Sequence, residues 1–344
     1  MNKLAIGALA LVAVLGIGYV VADKLADKSA ADQVATYLKD HDLEKTVTYK
    51  DVDYSLLSGT MTVSDVNASD AAAGGGFAAE KIVFNRNRLN KTLDQKKGVD
   101  YSAFGAVREV DRITVKSADG QVVTIDKFVV DKYEVQDELP INAEMRMVGM
   151  HLPPNAAQNF PMKDPVINAH MAYVIDINAK TYDIRDVSVD SNGLGSFAFS
   201  TQFKNLNMDH IKSIAKADPD KQSAMVMQFY QDLSAANLGK TVLTFKDGGF
   251  IDLSLEQQAK TKNVSKEDVR KESLAGFDAM ASRPDAKPYA EVIKAVRNLI
   301  AKSGSQIVIT ANPPADIPLM QFGTLGFSGN TQGLYEKLNI TASN

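Results

Sequence analysis

Ser213 and Lys216 stand in Ser213-Ile-Ala-Lys216, the spacing that sets a hydroxyl nucleophile beside an amine base on one helical turn. The Lys-Thr-Gly and Ser-Asp-Asn motifs that complete such a site in penicillin-binding proteins do not occur, so the pair reads as a solvated helix face. Leu238-Gly239-Lys240-Thr241 ends like a phosphate-binding loop, but Ser234 stands where its first glycine is needed. Ser188-x-Asp190-x-Asn192-Gly193 imitates the middle of a calcium loop. It has Ser188 for the first Asp and Phe199 for the closing Glu, and a hairpin turn accounts for the same residues. His41, His151, His170 and His210 are scattered, with no His-x-x-x-His spacing. Asp51 and Asp53 lie on the polar side of an alternating run. The chain has no Cys, which excludes disulfides, thiolate metal sites and a Cys nucleophile. These residues specify no catalytic, metal or cofactor site, and the reading is of a protein that is not an enzyme.

The elements that position these residues begin with an uncharged apolar run, Leu4 to Ala22, behind Lys3. At ~1.5 Å per helical residue it reaches ~28 Å, about the hydrocarbon thickness of a bilayer. The run exceeds the usual h-region of a secretory signal, although Val20 and Ala22 before Asp23 also suit a cleavage site. The expectation is an uncleaved transmembrane anchor over 1–22, a juxtamembrane helix over 23–42, and a bulk exported to the periplasm from a bacterial inner membrane. The 344-residue chain is 45% hydrophobic and 23% charged, ordinary values for a folded globule. A net charge of −4 gives no reason to expect nucleic acid as a partner.

Leu25, Val34, Tyr37 and Leu38 mark one stripe of the second helix. The period then becomes two: Thr46–Tyr54 and Thr60–Val66 alternate about Ser58-Gly59, and strands are expected at Lys81–Phe84, Arg112–Lys116, Val122–Val130, Ile141–Met150 and Val166–Ile177. Tyr182–Asp190 and Leu194–Phe203 form the clearest hairpin, through Ser191-Asn192-Gly193 and a primed turn. Asp119-Gly120 and Asp247-Gly248 are read as punctuating two further strand pairs. On the hairpin's second strand Phe197, Phe199, Thr201 and Phe203 share a face. Near residue 207 the period moves to 3.6: a helix after Pro219 with Met225, Phe229 and Leu233 inward, a capping box at Ser265–Asp268, a helix over Tyr289–Lys302, a strand at Gln306–Thr310, and a last helix near Gly333–Leu338. The fold expected is α+β: an N-terminal transmembrane helix, then a mainly antiparallel, curved sheet with a helical C-terminal portion packed on it. Residues 43–344 form the exported domain, β-rich over 43–205, α-rich over 206–303, with a terminal strand and helix over 304–344.

This layout, with "VTYKDVDYSLLSGTMTVSDVNAS" followed by "AEKIVF", resembles the opening of AsmA-like and YdgA-like envelope proteins. "FKDGGFIDLSLEQQAKTKNVSKEDVRKESLAGF", "QIVITANPPADIPL" and "LYEKLNITA" are similar to the ends of uncharacterised proteobacterial proteins of that type. The resemblance implies inner-membrane anchoring, a curved sheet with an apolar groove, and a part in phospholipid homeostasis. The layout, together with the aromatic face of the hairpin strand, leaves two functions open. The first is binding of phospholipid or another apolar ligand in a β-lined groove, with Phe197, Phe199 and Phe203 as lining. The second is a structural or adaptor role, with a packed core and a surface that binds envelope proteins.

Overall fold

A computed structural model describes residues 43–344 outside 56–57, 71–73, 86–105, 138, 158–161, 163, 216–230, 233, 315 and 328–330, together with 32, 34–35 and 38–39. The expected anchor, the stripe positions Leu25 and Tyr37, and the helix positions Met225, Phe229 and Leu233 lie outside the described residues. Among the described residues no helix is long and apolar enough to cross a membrane.

The chain gathers into two compact units, Met1–Ala156 with Ala215–Lys221, and Ala157–Ile214 with Gln222–Asn344. In the first unit seven strands follow the chain: β1 Val47–Thr48, β2 Asp51–Ser55, β3 Thr60–Asp70, β4 Gly75–Asn85, β5 Val107–Lys116, β6 Val122–Gln136 and β7 Leu139–His151. β1 and β2 both pair with β3, and β3 to β7 pair each with the next, all antiparallel. Alternation decides which side is core. Met61, Val63, Ile82, Phe84 and Val110 point to one face and are buried there, with Val34 and Leu38 of the preceding helix packed in the same cluster. That i, i+4 pair is the described part of the predicted stripe. The intervening positions carry charge: Lys127 Nζ lies 3.0 Å from Glu109 and 3.3 Å from Asp111, and Lys81 reaches the same two carboxylates.

The second unit continues the antiparallel plan with β8 Val166–Asp176, β9 Thr181–Ser191, β10 Gly195–Lys204, β11 Asn237–Asp247, β12 Gln306–Ala311 and β13 Ile340–Ser343. Its helices are α1 Met208–Ala215, α2 Phe250–Lys262, α3 Lys266–Ala281, α4 Ala290–Ala301, α5 Leu319–Phe327 and α6 Thr331–Leu338, with a 3-10 turn at Pro284–Tyr289. The α+β class and the antiparallel plan stand as expected. α4 lays Ala295, Val296 and Leu299 against Phe245, Ile307, Ile309 and Ala342, so a C-terminal helix does cover part of the sheet.

The stretch 206–303 holds α1 to α4, with β11 among them; Val242, Leu243 and Phe245 of β11 hold the register between β10 and β12. Two readings need correction. Asp247-Gly248 does not join two strands. It turns β11 into α2, whose capping position is Gly249, a residue with no side chain to cap with. The Ser191–Leu194 turn closes with the Leu194 N–H donating to Ser191 O, and Gly193 has φ 82° whereas Asn192 is not among the residues with positive φ. A primed type I turn needs positive φ at both positions, so the connection is a different, three-residue one.

Candidate apolar binding face

Register pairs make the sheet of the second unit two-sided. Phe197 lies opposite Val189 and Phe245, Phe199 opposite Val187 and Leu243, and Phe203 opposite Tyr182 and Leu238. Val187 in turn pairs with Met171, and Tyr182 with Ile175. Cross-strand partners share a face, so these side chains form one apolar surface. Tyr182 and Val187 have opposite parity and could not share it on a regular strand. One extra residue in β9, between Ile184 and Asp186, shifts the register and restores the face. A second shift, in β11 opposite Gln202, does the same for Leu238 and Thr241. There Gly239 lets the strand pass Gln202, whose Cβ would lie 3.0 Å from any added Cβ.

This face is covered at two ends. α4 and Ile251 close one, over Phe245, Ile307 and Ile309. Leu206, Met208, Ile211 and Ala236 close the other, over Ile175, Tyr182 and Phe203. Between them the floor is open: Met171 is 37% exposed, Val189 40% and Phe197 41%, beside the half-buried Val187 and Phe199. Of the three predicted lining residues, Phe197 and Phe199 lie on this open floor. Phe203 belongs to its packed end, with its ring centroid 6.2 Å from that of Tyr182. Tyr173 meets Tyr182 edge to face at 5.5 Å. Burial, with a smaller contribution from Tyr182, pushes the Tyr173 phenol up to about 12, and burial raises Tyr182, so both stay neutral at physiological pH.

The opposite face is polar. Asn168 Nδ2 donates to Asp190 Oδ1 at 3.1 Å, Gln202 Nε2 to Asp183 Oδ1 at 2.6 Å, and Ser188 Oγ to Asp186 Oδ2 at 2.8 Å. Asp186 Oδ2 also lies 2.5 Å from His170 Nδ1. Ser, Asp and His thus meet, but the carboxylate stands between hydroxyl and imidazole. In a nucleophilic triad the imidazole must stand between them to take the hydroxyl proton. The residues of the calcium-like motif are absorbed here as well: Asp190 by Asn168, Ser188 by Asp186, Gly193 by the turn. His210 pairs with Asp232 at 2.6 Å, and His151 lies 3.8 Å from Asp126. Ser213 donates to His210 O at 2.7 Å, while Lys216 and His41 lie outside the described residues. Among the described residues no group of three or more His, Asp or Glu side chains could hold a metal ion.

The corner beside this floor was missed in the sequence. Asp247 is 2% exposed; its Oδ1 accepts from Gly249 N at 3.1 Å and Ile251 N at 3.0 Å, and its Oδ2 from Gly304 N at 2.9 Å. Leu194 O accepts from Gly248 N at 3.0 Å and Phe250 N at 3.2 Å. Together they satisfy donors at the start of α2 that Gly249 cannot. The approach needs glycine: a Cβ on Gly195 would meet Lys246 O at 2.1 Å. An Asp-Gly-Gly after a strand was the available signal.

A family model described as "Uncharacterized protein" matches residues 188–344. A protein of Aquifex aeolicus (strain VF5), also described as "Uncharacterized protein", is 22% identical over 322 residues, covering 92% of this chain and 90% of its own length. The similarity therefore extends through both units, and the matched family segment includes β10, β11 and every helix from α1 onward.

Proposed function

We propose that this chain is a non-enzymatic protein, anchored in a bacterial inner membrane with its bulk in the periplasm, that holds an acyl chain of a phospholipid or a similar apolar ligand in a trough of its second unit. The observation that carries the reading is the open floor of Met171, Val189, Phe197 and Phe199 on a sheet whose other face is satisfied by polar side chains. Each acyl CH₂ buried there contributes about 0.8 kcal/mol, so a single chain can be held without a charged anchor site. The uncharged run Leu4–Ala22 and the resemblance to AsmA-like proteins support the same reading.

The test is photocrosslinking of the full chain in membranes with a phospholipid carrying a diazirine on its acyl chain, followed by peptide mapping. Adducts are expected on β8–β10 as well as on residues 4–22. Phe197→Asp, at an exposed position, should abolish the first set and spare the second. Adducts confined to 4–22, with envelope proteins captured by a protein crosslinker instead, would favour the adaptor reading.

A further inference from the structure

A second apolar feature lies at the packed end of the apolar face. Residues 317–335 carry no charged side chain, in a chain where 23% of residues are charged. Within them α5 presents Met320, 61% exposed, beside the half-buried Leu319 and Phe322. Its position is fixed by the backbone: Leu319 N donates to Ala236 O at 2.9 Å, and Leu238 N to Ile317 O at 3.2 Å. Lys337 Nζ of α6 reaches Gln321 Oε1 at 3.3 Å. The helix is thus held where β11 begins, next to the cluster of Leu206, Met208 and Ala236.

The geometry points to α5 as a bilayer-contact helix, lying in the boundary between headgroups and acyl chains of a phospholipid membrane. Three features select lipid as the occupant. The helix spans 9 residues, or ~13 Å at ~1.5 Å each, so it lies in the interface and does not cross it. Thr324 Oγ1 donates to Met320 O at 3.0 Å, so the hydroxyl inside the apolar stretch is satisfied within the helix. The run Leu4–Ala22 would hold the chain at a bilayer, so the helix finds that surface at high local concentration. Interfacial helices that depend on anionic lipid carry Lys or Arg on their polar face. α5 has none, so its contact is apolar and insensitive to salt. This contact does not depend on whether the trough holds lipid.

The chain has no Trp, so one substitution installs a lone fluorophore. Met320→Trp and, as a control on an exposed position of α3, Met280→Trp are made in the full chain. Each is reconstituted in phosphatidylcholine vesicles with and without bromine on the acyl chains. Trp at 320 should emit to the blue of Trp at 280 and lose intensity on brominated lipid, with or without added salt, while Trp at 280 keeps its intensity. Equal, unquenched emission from both variants on vesicles overturns the proposal, as does a chain that stays off the vesicles. A blue shift without lipid that grows with protein concentration also overturns it, because the occupant is then a second copy of the chain.

Discussion

Asp247 shows how one side chain can hold a corner of the fold. Its two oxygens take three backbone N–H groups from two segments, the start of α2 and the turn at Gly304. A buried donor left without an acceptor costs more than the net value of the bond it lost, because its hydration is not restored. Asp247→Ala is therefore expected to destabilise the second unit by on the order of 3 kcal/mol. Asp247→Asn, which keeps one acceptor oxygen, should fall between the variant and the wild type. Urea unfolding followed by circular dichroism measures both; an Ala variant as stable as the wild type would show that water replaces the carboxylate. Ser191, Asn192 and Gly193 were legible as a turn because glycine there has a backbone reason. The role of Asp247 was not legible, since a strand-ending Asp-Gly fits a hairpin equally well, and what separates the two is the carbonyl of Leu194, brought in from the turn before β10.

At the scale of elements, α2, α3 and α4 are joined by charge at their surfaces. Ser303 Oγ donates to Asp252 Oδ1 at 2.8 Å, and Arg270 Nη2 donates to the same oxygen at 2.5 Å. Arg297 of α4 grips Asp278 of α3 with two bonds, at 2.6 and 3.1 Å. The bond from Ser303, with help from Lys266 and Arg270, holds Asp252 below the usual carboxylate range, and Arg297 does the same for Asp278. A carboxyl whose folded pKa is depressed binds protons more readily when unfolded. Its stabilising contribution is therefore complete at neutral pH and is lost as pH falls through the folded value. Ser303→Ala should be less stable than the wild type at pH 7, with the difference vanishing in acid once Asp252 is protonated in both. Thermal unfolding across pH checks this, and a difference independent of pH would contradict it. Both groups are largely solvated, so the effect is small.

The same elements show what periodicity reveals. The capping box at Ser265 was readable, and Ser265 Oγ does accept from Asp268 N at 3.1 Å. α2 was missed because Phe250-Ile-Asp-Leu-Ser-Leu255 alternates like a strand, whereas its buried face is only Leu255 and Ala259. β11 was legible only at its end, as the strand closed by Asp247-Gly248, because its apolar residues meet partners far away in sequence. The shared face of Phe197 and Phe199 was readable from alternation. Its continuation through Val187 and Tyr182 needed the extra residue in β9, which appears in the sequence as a change of parity across Arg185-Asp186.

For the whole molecule, the proposals made for the second unit require the same surroundings. An open apolar floor and an exposed uncharged helix are aggregation liabilities on a protein free in water. They are consistent with a chain kept beside a bilayer, where a lipid's path through water is short. The run Leu4–Ala22 has the length for that task and no charge to oppose it. Its flanks decide orientation weakly, because Lys24 and Lys28 are offset by Asp23 and Asp27, whereas Lys3 stands with the amino terminus. Topology therefore has to be measured at the far end of the chain. Alkaline phosphatase fused after Asn344, which folds only after export, should be active, and the protein recovered from the membrane fraction should retain Met1. An inactive fusion would place both units on the cytoplasmic side. A soluble product beginning at Asp23 would remove the tether, and lipid would then have to be sought as cargo carried through water, not as the membrane itself.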